Sequence, residues 1–220
     1  MKRTAIALCL VAGVLSFSSA FALDLQRKSL NPANPRQVEL NSAQAVLGCD
    51  DGVFFSGWFQ GTDDRVGNVF DFGSGAVLSE VAFVHYGFGF SGPYNYDIEI
   101  WDQASCTFVA AKNNLVAADA AGAVQIEDVL LCADNLFVAG NMVVTIDPNT
   151  CANPTDCYPD VLFDDQIFVA CPIIIGNAST SPVCNDVSDF GGPFLLRVAI
   201  DECPTPTRTH SWGQVKAIYR

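Results

Sequence analysis

Apart from carboxylates, the chain has few residues able to do acid–base or nucleophilic chemistry. It has two histidines, His85 within the apolar run around Val84 and Tyr86, and His210 near the end. It contains no Gly-x-Ser-x-Gly turn that would expose a nucleophilic serine and no His-Glu-x-x-His zinc pair. The sequence therefore predicts no catalytic residues, and we expect a protein that is not an enzyme.

Carboxylates are abundant, with 24 Asp and Glu among 220 residues. A glycosidase needs two of them about 5–10 Å apart across the bond that it cleaves. With so many acids, the sequence selects no particular pair. A hydrolase that acts through paired carboxylates therefore remains an alternative, ranked last.

Acidic residues stand at both ends of the predicted domain and raise the possibility of a cation site. Calcium prefers six to eight hard oxygen ligands, often from loops. The spacing is not that of an EF-hand loop, and solvated surface carboxylates are the simpler interpretation. A structural calcium ion is the one cofactor that the sequence suggests, and its candidate ligands are Asp50, Asp51, Asp201 and Glu202.

Aromatic residues alternate with glycines between positions 86 and 94. Rings held on a glycine-rich loop can present flat faces to a sugar or a peptide. The simpler interpretation is that these rings close the end of the fold, as apolar side chains usually do. The candidate ligand-binding residues are Tyr86, Phe88, Phe90, Tyr94 and, on the strand that follows, Trp101.

The segment 94–101 is the clearest structural element. Tyr94, Tyr96, Ile98 and Ile100 alternate with polar residues and with Trp101. Successive side chains of a strand point to opposite faces, so this pattern predicts a half-buried strand with one wet face. Further strands are predicted at 65–72, 77–86, 107–111, 123–131, 136–146, 161–163, 167–175 and 194–200.

Glycine, proline and asparagine clusters separate these strands, and no long window has the 3.6-residue period of a helix. Many short strands joined by such turns are typical of sandwiches and barrels. We predict an all-β fold, an antiparallel β-sandwich of jelly-roll type, over residues 45–203.

The first residues have the pattern of a signal peptide. Lys2 and Arg3 precede an apolar run at 5–17 that is too short to span a bilayer, and small residues follow. We predict cleavage after Ala22, so that 1–22 is the signal and 23–44 is a flexible lead-in whose last part pairs as an edge strand. No later apolar run reaches about 20 residues, so no membrane span is expected. The predicted location is secreted or at the cell surface.

Removal of the signal changes the charge and the cysteine count. It leaves 9 basic against 24 acidic residues, a net charge of −15, which disfavours nucleic acid as a partner. It also removes Cys9 and leaves eight cysteines, which in an exported chain predict disulfides. From spacing we predict the pairs Cys49–Cys203, Cys106–Cys132, Cys151–Cys157 and Cys171–Cys184.

The composition changes after Glu202. Residues 204–207 alternate proline and threonine, which predicts a stiff linker, and 204–220 form a tail that is basic and aromatic. We predict that 212–220 is a recognition element, with docking on the chain's own acidic surface as the alternative. The residues expected to carry recognition are Trp212, Lys216, Tyr219 and Arg220.

Two resemblances follow from these motifs. Cys-Asp-Asp-Gly at 49–52, Val-Ala-Phe at 81–83, the strand and turn at 96–102 and Leu-Arg-Val at 196–198 together resemble a family of secreted bacterial β-sandwich modules. That resemblance implies a non-catalytic accessory domain. The ending is similar to the Trp-Gly-x-[Val/Ile]-Lys-x-x-Tyr-Arg tails of some exported bacterial proteins, which implies a sorting or attachment role for the tail.

The function predicted from the sequence is that of an exported, non-catalytic module that acts in binding or in surface assembly. The first alternative is a carbohydrate-binding domain, and the second is the hydrolase named above. The candidate partners are a polysaccharide or a surface protein. Exposure of the aromatic loop separates the first two interpretations, because a packed loop favours a structural or adhesive role.

Overall fold

The computed structural model describes residues 27–29, 45–50, 54–58, 60–164, 170–188 and 191–200. Within these ranges the chain forms strands and turns and no helix, which confirms the all-β prediction. The strands are β1 Arg27–Ser29, β2 Ala45–Leu47, β3 Phe54–Trp58, β4 Arg65–Asp71, β5 Ala76–Tyr86, β6 Tyr94–Asp102, β7 Thr107–Ala117, β8 Gln125–Leu130, β9 Leu136–Val138, β10 Asn141–Pro148, β11 Thr150–Asn153, β12 Asp156–Tyr158, β13 Asp160–Asp164, β14 Pro172–Gly176, β15 Val183–Asp186 and β16 Leu196–Ile200.

These strands form two large antiparallel sheets and one hairpin. The first sheet has the order β1-β3-β13-β5-β16-β2, and β8 and β9 pair with the other edge of β5. The second sheet has the order β15-β14-β4-β10-β6-β7, and β11 pairs with β12. Apolar side chains of both large sheets form one core. The molecule is therefore an antiparallel β-sandwich, and the jelly-roll winding stays a prediction.

The core depends on the alternation seen in β6. Tyr94, Tyr96, Ile98 and Ile100 are buried against the first sheet's Leu78, Val81 and Phe83, while Asn95 on the opposite face is exposed. Tyr96 meets Phe83 edge-to-face, with the ring centroids 5.2 Å apart. Burial on this scale contributes about 1.5–3 kcal/mol for each large side chain. The predicted inner face of this strand is therefore confirmed.

A buried asparagine joins the two sheets through directional bonds. Asn68 lies on β4 of the second sheet, and its Nδ2 donates hydrogen bonds to the carbonyl oxygens of Phe194 (2.7 Å) and Leu196 (3.2 Å) of the opposite sheet. The Phe194 N–H donates in return to Asn68 Oδ1 at 3.0 Å. Both ends of the amide are thus satisfied inside an apolar core.

One predicted strand is wrong as a single element. The segment 136–146 is divided between β9 in the first sheet and β10 in the second. Gly140 lies between them with φ +69°, a conformation that glycine adopts without steric cost. Its N–H and carbonyl oxygen bond to Gly73 and Phe72 in the turn after β4, so the chain crosses between the sheets here.

Several strands were not predicted. These are β2, β3, β15 and the hairpin β11–β12, which are short or rich in polar residues. In the lead-in, β1 pairs with β3 although its sequence predicts a flexible segment. The predicted strand 167–175 begins at Pro172 in the described ranges, and residues 165–169 lie outside them.

The cystine pairing differs from the predicted map. The structure pairs Cys49 with Cys171, Cys106 with Cys184 and Cys151 with Cys157, so only the last predicted pair is confirmed. The predicted bonds Cys49–Cys203, Cys106–Cys132 and Cys171–Cys184 are wrong.

Strand register explains two of these corrections. Cys184 on β15 stands opposite Ile175 of β14, four residues beyond Cys171, which is about 13 Å along a strand. β2, just before Cys49, pairs with the last described strand β16, from Leu47–Val198 to Ala45–Ile200. The start and end of the described sandwich therefore meet by strand pairing, while Cys49 bonds to Cys171.

We predict that Asn68→Leu lowers the free energy of unfolding by about 3–5 kcal/mol, because it leaves buried backbone groups of Phe194 and Leu196 without partners. Urea unfolding of the oxidised protein measures this change. Asn113→Ala, at an exposed position of β7, is the matched control and should change stability by less than about 0.5 kcal/mol. A loss below about 1 kcal/mol in Asn68→Leu would show that the amide does not join the sheets.

Candidate functional site

The aromatic segment predicted to bind a ligand packs at one end of the sandwich. Tyr94 is buried, its hydroxyl donates to the carbonyl oxygen of Phe90 at 2.6 Å, and it accepts from the N–H of Ala120 at 3.2 Å. Phe90 stacks on Tyr158 of β12, with ring centroids 4.7 Å apart and planes inclined by 15°. Burial, followed by the charges of nearby aspartates, raises the pKa of Tyr158, so its phenol stays neutral.

The other two rings of this segment form a second contact. Tyr86 and Phe88 meet edge-to-face with centroids 4.9 Å apart, and both lie against an outer cluster around Val84. The Phe88 ring lies over Gly57, where an added Cβ would approach it to 2.8 Å. Tyr86, Phe88 and Phe90 are only partly exposed. These rings therefore close the fold, and little of their surface faces solvent.

Trp101 does not join these rings. It lies on the opposite face of β6 and is 3 % exposed, packed with Val143, Ile173 and Ile175 on the outer face of the second sheet. Its ring meets Phe108 edge-to-face at 5.5 Å. The face of β6 predicted to be wet is thus covered at this residue, and the five predicted binding residues do not form one site.

A disulfide helps to cover this outer cluster. The bond joins Cys106, in the turn between β6 and β7, to Cys184 of the edge strand β15, and the two Cα atoms are 5.6 Å apart. Both cysteines pack against the outer cluster. The bond closes a loop of 78 residues, and loop entropy assigns such a bond about 4.5 kcal/mol.

Beside Trp101 lies the densest group of charges that the structure brings together, which we name the arginine cluster: Arg65, Glu99, Asp147 and Trp101. Arg65 Nε donates to Glu99 Oε2 at 3.0 Å, and the Trp101 indole N–H donates to the same oxygen at 3.0 Å. Arg65 Nη1 approaches Asp147 Oδ1 at 3.0 Å. The three ionisable side chains are about nine-tenths buried.

Negative charge exceeds positive charge in the arginine cluster. Burial, together with the charges of Glu99, Asp97 and Asp63 and against the opposing effect of Arg65, raises the pKa of Asp147 to about 7. A carboxyl of this kind takes up a proton near neutral pH. The guanidinium is shared between two acids, so the cluster has the features of a structural ion network.

The sequence did not identify the arginine cluster. Its charged members are distant along the chain, because Arg65 lies 34 residues before Glu99 and Asp147 lies 48 residues after it. They meet because β4, β10 and β6 are neighbours in the second sheet. The one signal available was the position of Glu99 on the polar face of β6, next to Trp101.

His85 forms a second buried polar contact. It points into the core from β5, and its Nε2 lies 3.2 Å from Glu127 Oε1. Glu127 also accepts from the N–H of Ala118 at 2.8 Å. Burial acts to raise the pKa of Glu127, but these hydrogen bonds outweigh it and the pKa is lowered.

The predicted calcium ligands are only partly described. Asp50 is bound by Arg197, whose Nη2 and Nε lie 2.6 and 3.2 Å from its two carboxylate oxygens. Asp51, Asp201 and Glu202 lie outside the described residues. Within the described ranges, no three His, Cys, Asp or Glu side chains are grouped as a metal site requires. A basic side chain thus already neutralises the first candidate ligand, and calcium stays a prediction.

Large apolar side chains are exposed on the strands along one side of the sandwich. They belong to β7 at the edge of the second sheet and to β8 and β9 of the first: Phe108, Val109, Val116, Ile126, Leu130 and Phe137. The predicted recognition residues Trp212, Lys216, Tyr219 and Arg220 lie outside the described residues. The exposed side chains are the groups most available for a partner.

Comparison with known proteins finds no family model, no curated protein and no solved structure that matches the chain. In the described part of the chain, no helix has the length and hydropathy needed to cross a bilayer. The function is therefore inferred from the residues of this chain.

We predict that Asp147→Asn removes a pH dependence of stability. With a folded-state pKa of about 7 and an ordinary value of 3.8, the folded protein keeps a proton between these pH values that the unfolded chain has released. Rising pH therefore destabilises the wild type over this window, and the variant should gain stability relative to it. Urea unfolding at intervals from pH 4 to 8 measures the difference.

Asp102→Asn is the control, because the pKa of Asp102 is shifted in the opposite direction from that of Asp147. Hydrogen bonds from Ser105 lower the pKa of Asp102, so its stabilisation is lost only as pH falls through and below 3.8. Its difference from the wild type should be constant from pH 5 to 8. Parallel curves for the wild type and Asp147→Asn would show that Asp147 has no raised pKa.

Proposed function

We propose that the chain is an exported, non-catalytic β-sandwich module that binds another protein at its edge strand β7 and so builds a surface assembly. The observation that carries this proposal is the exposure of large apolar side chains on β7, where Val116 is 59 % exposed and Phe108 is 53 % exposed. Monomeric proteins usually keep such side chains apart or covered.

The position of β7 supports binding by strand addition. Within the described part of the chain, β6 is its one strand partner, so its other edge presents backbone N–H and carbonyl groups. Edge strands are usually protected by lysine, proline or bulges. β7 has no proline, and its one lysine, Lys112, is bound to Asp134 at 2.8 Å. Two register irregularities in its pairing with β6 give it partial protection.

The packing of the aromatic segment favours this function over carbohydrate binding. A sugar site needs ring faces open to solvent, whereas Phe90 is stacked on Tyr158, and Tyr94 is buried. The partly exposed edge of Tyr86 and Phe88 is what supports the carbohydrate alternative.

The arginine cluster gives little support to a hydrolase. Glu99 and Asp147 are both paired with Arg65 and are about nine-tenths buried, so they are poorly placed to reach a glycosidic bond. Disulfides are characteristic of oxidising compartments, which supports export.

The test replaces Val116 with the photo-crosslinker p-benzoylphenylalanine in the full chain, expressed in the cells that export it. Irradiation should give a covalent adduct of higher mass. Ser74, in the exposed turn between β4 and β5, is the matched control position and should give none. Absence of an adduct at Val116, or equal adducts at both positions, would contradict binding at β7.

A polysaccharide titration separates the alternative. Isothermal titration of the mature protein against a polysaccharide panel should give no heat if β7 carries the function. Heat that Phe88→Ala abolishes would instead establish the carbohydrate-binding interpretation.

A further inference from the structure

A second exposed surface lies on the outer face of the first sheet, on β8 and β9. On β8, Ile126, Asp128 and Leu130 point outward, because Val129 and Glu127 between them stand opposite the inward-facing Val81 and Phe83. Leu130 is 58 % exposed, and Phe137 on β9 is 65 % exposed. We name the surface formed by Glu80, Ile126, Asp128, Leu130 and Phe137 the β8–β9 strip.

The acids of the β8–β9 strip lack a counter-charge. Glu80 stands opposite Leu130 in the register, two residues from the Ala82–Asp128 pair. Burial and the charge of Asp128 raise the pKa of Glu80, and burial and the charge of Glu127 raise that of Asp128. Among the ion pairs of the described residues, neither has a basic partner. The strip therefore combines exposed apolar side chains with two acidic side chains, Glu80 and Asp128, that are in none of these ion pairs.

The cysteine that follows β8 forms a disulfide bond other than the three described pairs. Cys132 is disulfide-bonded, and the other six described cysteines pair among themselves. Its partner therefore lies outside the described residues, where the sequence has Cys9 and Cys203. Cys9 belongs to the predicted signal peptide, which leaves Cys203.

The segment that follows Cys203 suits the strip in charge and length. Residues 204–220 contain Arg208, Lys216 and Arg220 and no acid, in a chain of net charge −13. Seventeen residues reach up to about 55 Å when extended. The strip runs about 13 Å from Leu130 to Ile126, so the tail spans it easily from an anchor two residues beyond Leu130.

We propose that the C-terminal segment 212–220 docks in cis on the β8–β9 strip of its own chain. Its aromatic residues Trp212 and Tyr219 cover Leu130 and Phe137, and its cations neutralise Glu80 and Asp128. The strip belongs to the first sheet and β7 to the second, and the inference does not rest on the proposed function.

Trypsin cleavage after Arg208 and Lys216 tests the docking, followed by mass spectrometry of the mature, oxidised protein at low salt. The wild-type tail should be cleaved at least ten times more slowly than that of the double variant Leu130→Ser/Phe137→Ser. Both positions are well exposed, so these changes should leave the fold intact. Val183→Ser, at a 49 % exposed position of β15 in the other sheet, is the matched control and should keep the wild-type rate.

A second variant isolates the electrostatic contribution. Glu80→Gln/Asp128→Asn should speed cleavage, and 0.5 M salt should speed it in the wild type more than in this variant, because salt screens exposed charges.

Equal cleavage rates in the wild type and in both double variants would overturn the proposal. Protection that grows with protein concentration would also overturn it, because the tail would then dock on a second copy. A Cys132 peptide linked to any cysteine other than Cys203 would remove the anchor and overturn it as well.

Discussion

The three hydrogen bonds of Asn68 are the directional constraint on which the alignment of the two sheets depends. Apolar contacts between the sheets are strong but non-directional, so they favour close approach without selecting one register. The amide bonds to Phe194 and Leu196 exist in one alignment only. Because an unpaired buried amide is costly, a shifted alignment loses these bonds and also leaves polar groups unsatisfied.

With the sheets aligned, the outer faces are filled in different ways. Val84, Leu162 and Leu195 form a cluster outside the first sheet, and Trp101 with its neighbours forms one outside the second. The Cys106–Cys184 bond and the arginine cluster lie over the second sheet. Among the described residues, most of the large exposed apolar side chains are on β7 and on the β8–β9 strip, and these two surfaces carry the two proposals.

The fold class and the central strand could be predicted because both depend on local pattern. Alternation in β6 has a period that a single strand reveals. The cystine map and the arginine cluster could not be predicted, since Cys49 and Cys171 are 122 residues apart and meet only after the sheets form. The division of 136–146 was missed because the break between two apolar runs is only Gly140 and Asn141, without a proline or a charge.

The most direct measurement of the central claim is the exchange of the Phe194 backbone amide with deuterium, resolved by NMR across a series of low urea concentrations. This amide donates to Asn68 and lies between the sheets. If Asn68 joins the sheets, the amide exchanges only through global unfolding, and its opening free energy falls with urea as steeply as global stability does. Exchange through a local opening that urea does not affect would contradict the account.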